Sequence, residues 1–237
     1  MNGLIGNLAT LAILLFLGCA IGLLDRSRFA PRWLLVAALL VAMNDALLTG
    51  LHGLLPDMIG GSWNWQGKLL AITATLTIAA LPAFGWRHVG LTLAQAPASL
   101  RSALAVAAIY CGLFVIIALL SPDGSSTAED YAFQLTMPGL EEELFYRGIL
   151  LFALDRAFTG RRRFLGVDWG WGAVLSCLLF GLAHAFGYSA DGFTLDPMVL
   201  ALTAIPSLVA VWIRLRTASL VLPVLLHNLG NTIPRLF

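Results

Sequence analysis

The sequence predicts an all-α, polytopic membrane protein, a bundle of about eight transmembrane helices, and three observations lead there. Hydrophobic residues make up 59% of the 237 positions and charged ones only 11%, against roughly 25% charged in soluble domains; mean hydropathy is +0.86. The apolar residues fall into eight segments, each near the ~20 residues that a helix needs to cross a bilayer. The tryptophans Trp33, Trp63, Trp65, Trp86, Trp169, Trp171 and Trp212 all lie at or just beyond the ends of those segments, where an amphipathic ring favours the headgroup layer. A net charge of +1 points to no nucleic-acid partner.

The segments cover residues 3–24, 33–55, 66–86, 100–121, 136–157, 169–187, 196–214 and 218–236. The first follows an opening stretch without a basic region and is as long as a full span, so it reads as an uncleaved helix rather than a signal peptide. The second carries Asn44 and Asp45 near its middle, expected to satisfy each other and polar groups of neighbouring helices. Asp45 lies about as deep as Arg147, so a structural pair between them is expected. The third is preceded by Gly61-Ser-Trp63-Asn-Trp65-Gln66, an interfacial stretch, and the fourth runs into the longest connection, a polar Ser/Asp/Gly-rich loop near 122–135. No soluble domain is left over, so 1–237 reads as a single membrane domain. Cys19, Cys111 and Cys177 stand singly without C-x-x-C spacing, which indicates neither a zinc finger nor a disulfide framework.

Arginines occupy alternate connections: Arg26, Arg28 and Arg32, then Arg87 and Arg101, then Arg156 and Arg161 to Arg163, then Arg214 and Arg216. The other connections hold Lys68 as their one cation, with Asp57, Asp123, Glu129, Asp130, Asp191 and Asp196. The positive-inside rule therefore puts the N-terminus and the acidic loops outside.

The fifth segment contains Gly139-Leu-Glu-Glu-Glu-Leu-Phe-Tyr-Arg147-Gly148. An ionisable group at membrane depth costs at least about 2.5–3.5 kcal/mol on insertion scales, so it is normally paired and functional. Thr136-Met-Pro138 is a plausible helix start, placing Glu141, Glu142 and Glu143 near the positive end of the helix dipole. Glu143 and Arg147 are spaced i, i+4 and share a face, whereas Glu142 is turned away by about 100°. One carboxylate is thus expected to be structural and its neighbour available. The sixth segment holds His184 among apolar residues, with Phe180 one turn earlier on the same face, placed to pack on the imidazole. The eighth holds His227 and Asn231 on one face, a spacing open to helix–helix glue, a metal half-site or a pair of hydrogen-bond donors. With the N-terminus outside, Glu142, His184 and Asn231 all fall in the outer half of the membrane, which a water-filled cavity explains.

Glu142-Glu-Leu-Phe-Tyr-Arg147, Phe180-x3-His184 and His227-x3-Asn231, in this order, resemble the three signature motifs of the CAAX-protease and bacteriocin-processing (CPBP) intramembrane proteases. The resemblance covers about the last hundred residues, a catalytic core at 136–237; residues 1–121 carry no recognisable part of it and their role is undefined. It implies an intramembrane endopeptidase in which Glu142 and His184 activate a water and His227 and Asn231 stabilise the oxyanion. Glu143 and Arg147 then hold the first motif in place, with Phe180 supporting the site. It also implies a multi-pass protein of a bacterial or archaeal cell membrane, with a membrane-embedded or membrane-associated protein or peptide as substrate. A cofactor is not expected. The alternative is a divalent metal such as zinc on Glu142, His184 and His227, although no His-Glu-x-x-His string is present. The other readings are a non-proteolytic immunity or scaffold protein on the same fold, and a small transporter, which lacks an interrupted, symmetry-related helix pair.

Overall fold

A computed structural model describes residues 2–120 and 126–237. Helix α1 (Asn2–Leu24) leads through a 3-10 turn into α2 (Pro31–Leu48), followed by the single turn α3 (Gly50–Gly53) and by α4 (Trp65–Ala80) and α5 (Leu100–Leu120). After α6 (Ala128–Gln134), one continuous rod is built from α7 (Met137–Glu143), a π-helical segment (Leu144–Leu150) and α8 (Leu151–Ala157). Helices α9 (Trp171–Ala185), α10 (Pro197–Thr217) and α11 (Val221–Thr232) complete the bundle. Each of the eight apolar segments is thus helical. Helices α1, α2, α5 and α10 are long and apolar enough to cross a membrane. Their outward faces carry large apolar side chains, among them Phe16, Ile109 and Leu202, as contact with acyl chains requires.

Several segment ends differ from the sequence expectation, each for a local reason. The second helix stops at Leu48 rather than 55, because Gly50 and Gly53, with Leu51 and His52 between them, take positive φ. The third stops at Ala80 because Leu81 is extended (ψ 139°) ahead of Pro82, as the residue before proline prefers. The connection near 122–135 is not simply a loop: Thr127 and Asp130 form a reciprocal capping box that starts α6. The acidic position Asp123 of that connection lies outside the described residues.

Two short hairpins occupy stretches read from sequence as plain connections. Strands β1 (Arg162–Phe164) and β2 (Val167–Trp169) are joined by Leu165 and Gly166, both at positive φ, as a tight hairpin turn demands. Strands β3 (Phe186–Ser189) and β4 (Gly192–Leu195) pair antiparallel directly after α9. Trp212 lies inside α10 rather than near its end, because that helix continues to Thr217; its indole N–H donates to Leu165 O at 2.9 Å.

The core sits around the π-helical segment and α8, where Phe145, Ile149, Leu150 and Leu154 are fully buried against α2, α9 and the first helix. Small residues allow close approach. A Cβ on Gly139 would lie 2.6 Å from both Asn228 Oδ1 and Val224 O, so α7 and α11 touch backbone to helix face there. Gly181 of α9 similarly faces Leu200 and Ala204 of α10.

Candidate active site

The site is built on the start of α7. Pro138 falls in its first turn, and Asn228 of α11 clamps that turn: its Oδ1 accepts from Gly139 N at 2.7 Å and its Nδ2 donates to Thr136 O at 3.3 Å. One side chain from α11 thereby supplies an acceptor for an otherwise orphaned N-terminal amide. The three glutamates that follow diverge by about 100° per residue and meet different partners.

Glu141 is fully buried and points toward α2 and α4, where Asn44 Nδ2 donates to its Oε1 at 3.0 Å and Lys68 Nζ meets its Oε2 at 2.6 Å. The Oε1 of Glu142 takes a second contact from Lys68 Nζ, also at 2.6 Å. Its Oε2 has no hydrogen-bond partner and stands 3.8 Å from His184 Nε2 and 3.5 Å from His227 Nε2. Glu143 directs its Oε1 to Arg147 Nη1 at 3.1 Å and to His227 Nδ1 at 2.7 Å.

Arg147 is 1% exposed and joins three helices. Besides Glu143 it donates from Nη2 to Ser207 Oγ of α10 at 2.7 Å, and its guanidinium lies 4.2 Å from the Phe180 ring of α9. The π-helical segment places it there, and Ser176 Oγ of α9 donates to Tyr146 O of the same segment at 2.7 Å. π-Bulges of this kind are frequent at functional sites.

His184 ends α9. Its Nδ1 lies 2.9 Å from Phe180 O, and the Phe180 ring is 4.7 Å from the imidazole. Because a backbone carbonyl only accepts, Nδ1 carries the proton, and a neutral His184 turns the lone pair of Nε2 toward Glu142. Glu142, His184, His227 and Asn231 all line one cavity of about 640 Å³, which Tyr110, Phe114 and residues of α10 wall in on the apolar side.

The outer rim of that cavity is pinned by two acids of α6. Glu129 Oε1 accepts from Ser62 N (2.8 Å) and Trp65 Nε1 (3.0 Å), and Asp130 Oδ1 accepts from Trp63 Nε1 (2.7 Å). Trp63 also stacks on Phe133 at 4.9 Å. The Trp65 indole N–H and the Ser62 amide hold the Glu129 carboxyl below the usual carboxylate range. For Asp130 the Thr127 amide does most of this, with the Trp63 indole next.

The structure thus brings together Glu142, His184, His227 and Asn231 around one cavity, with Glu143, Arg147 and Phe180 also in its wall. It does not bring Asp45 to Arg147. Asp45 lies 3.7 Å from His52 Nε2 instead, because Arg147 is taken up by Glu143 and Ser207. From sequence Lys68 is a loop-side cation, and no motif spacing places Asn44, Ser207 or Asn228 in the site. The one available signal for Lys68 is that it is the chain's sole lysine and stands just inside an apolar span.

Residues 124–233 match the family model described as type II CAAX prenyl endopeptidase, Rce1-like. This stretch is an Rce1-like CAAX endopeptidase domain. Searches of curated proteins and of solved structures return no match. The Rce1-like domain holds Glu142, His184, His227 and Asn231, whereas Asn44 and Lys68 come from helices that precede it. The match is consistent with a CPBP-type protease, and four helices of the chain are long and apolar enough to cross a membrane.

Proposed function

We propose that the protein is a multi-pass intramembrane endopeptidase of a bacterial or archaeal cell membrane. It hydrolyses a peptide bond of a membrane-associated protein or peptide, with Glu142 and His184 activating water and His227 and Asn231 stabilising the oxyanion. The observation that carries this reading is the unpartnered Glu142 Oε2 facing His184 Nε2 across 3.8 Å. Two acceptors held face to face at that separation suit a water that donates one proton to each, and a base within reach of that proton is the first requirement of general-base catalysis.

In the reaction the water oxygen attacks the scissile carbonyl carbon as its proton passes to Glu142 Oε2. The carbonyl π pair moves onto oxygen, giving the tetrahedral oxyanion. Asn231 donates to that oxygen from its side-chain amide. His227 already gives its Nδ1 proton to Glu143, so it donates from Nε2 only when it carries both protons. Collapse of the oxyanion breaks the C–N bond, and the proton held by Glu142 passes to the leaving amine. Donors aimed at such an oxyanion contribute about 2.7–4 kcal/mol each.

The route is metal-independent. Oε1 of Glu142 is held by the Lys68 ammonium, which leaves Oε2 to act as the base. No step runs through a metal. The test is cleavage of a quenched fluorescent peptide library by the purified protein in detergent, with and without chelator, beside Glu142→Ala and His184→Ala. Cleavage that survives chelator and is lost in both variants is expected. Cleavage retained by either variant contradicts the reading, and loss in chelator contradicts its metal-independence.

A further inference from the structure

We propose that Lys68 is a positioning residue: from α4, outside the Rce1-like stretch, its ammonium clamps Glu142 so that only Oε2 faces the two imidazoles. The inference rests on the reading of Glu142 as the base. Lys68 Nζ meets Glu142 Oε1 and Glu141 Oε2, each at 2.6 Å, and its side chain is 12% exposed. A glutamate side chain has three rotatable bonds and two equivalent oxygens, so an untethered Glu142 presents either oxygen to the cavity, at varying depth. With Oε1 bound to the ammonium, Oε2 is left 3.8 Å from His184 and 3.5 Å from His227.

The clamp is itself held. Glu141 is fully buried and does not line the cavity, whereas Lys68 and Glu142 do. It has no route to substrate, and its oxygens are used by Asn44 Nδ2 and Lys68 Nζ. A fully buried carboxylate is costly without partners, so its place here follows from anchoring the lysine. The resulting line Asn44, Glu141, Lys68, Glu142 crosses α2, α7 and α4. The ammonium also separates two carboxylates on adjacent residues that would otherwise repel each other. On this account α2 and α4, which lie outside the matched domain, complete its active site.

Lys68 has an obvious competing role, that of binding a substrate carboxylate in the cavity, and kinetics separate the two. A positioning role predicts that Lys68→Met lowers kcat about 10²-fold, the cost of an ångström-scale misplacement of a reacting group, with KM changed by less than about threefold. Lys68→Arg, which keeps a cation able to reach both acids, restores part of kcat. Substrate-carboxylate binding predicts a raised KM and lost discrimination between peptide acids and peptide amides. That pattern, an unchanged kcat in Lys68→Met, or faster cleavage by it, overturns the proposal.

A second readout does not depend on cleavage. Unfolding in denaturing detergent is compared for Lys68→Met, Glu141→Gln and the double variant. A true clamp predicts non-additivity, the double variant unfolding later than Lys68→Met because the fully buried Glu141 carboxylate is no longer left without its cation. Additive shifts overturn the clamp. If the unaltered protein cleaves nothing, the endopeptidase reading fails while these unfolding midpoints still decide the clamp.

Discussion

Arg147→Met removes the cation that joins Glu143, Ser207 and Phe180, and its cost can be worked from the structure. Arg147 and Glu143 side chains are each 1% exposed, 3.1 Å apart. Removing one member of a buried pair leaves an uncompensated charge and costs about 3–5 kcal/mol. Loss of the cation–π contact at 4.2 Å to Phe180 adds up to about 2 kcal/mol. The terms overlap, because all depend on one side chain, and the expected net loss is about 4 kcal/mol. The double variant Glu143→Leu/Arg147→Met buries no charge and is expected to recover most of that loss. It nevertheless remains inactive, because His227 Nδ1 has lost its carboxylate at 2.7 Å. The assay is equilibrium unfolding in denaturing detergent for the two single variants and the double, beside peptide cleavage. A loss below about 1 kcal/mol in Arg147→Met, the range of solvated pairs, would refute the buried charge network. So would full activity in the double variant.

Three further outcomes follow from the same geometry. Asn231→Ala should lower kcat by about 10²–10³-fold with KM little changed, the signature of a donor used mainly at the oxyanion, as steady-state kinetics would show. Gly139→Ala places a Cβ 2.6 Å from Asn228 Oδ1 and Val224 O; it should destabilise by about 1–3 kcal/mol, measured by detergent unfolding, with lower cleavage because α7 is pushed off α11. The rim formed by Ser62, Trp63 and Trp65 on α6 should stay docked at neutral pH and release in acid. The hydrogen bonds that hold Glu129 and Asp130 below their unfolded values contribute above those values and are lost as pH falls through the lowered ones. Hydrogen exchange at the Ser62 amide should rise only below the usual carboxylate range, and a rise centred near neutrality would point to another group.

Where charge stands in an apolar run, the sequence is legible. Glu143 and Arg147 share a helix face by spacing alone, and the i, i+4 geometry survives into the π-helical segment. The divergence of Glu142 from Glu143 follows from the helical rotation, so a structural acid beside an available one is readable without coordinates. The other half of the site is set by helix–helix packing, which local pattern does not encode. Lys68 is 74 residues from Glu142 and Asn44 is 97 from Glu141, and no spacing rule links residues on different helices. Asp45 shows the same limit in reverse: similar depth in two spans made Arg147 a reasonable partner, yet rotation about the α2 axis decides the contact, and His52 takes it. Helix ends at Leu48 and Ala80 depend on glycine and proline backbone effects a few residues away, and the hairpins on strands of three or four residues, too short for a periodic signal.

The most direct test of the central claim is to map new protein termini by mass spectrometry in membranes of cells making either the unaltered chain or Glu142→Gln, at matched protein levels. The endopeptidase account predicts termini at membrane-proximal sites that appear with the unaltered chain and vanish in the variant, with the intact substrates accumulating instead. Identical termini in both, with the cellular role of the chain preserved in Glu142→Gln, would contradict it and favour a non-proteolytic scaffold on the same fold.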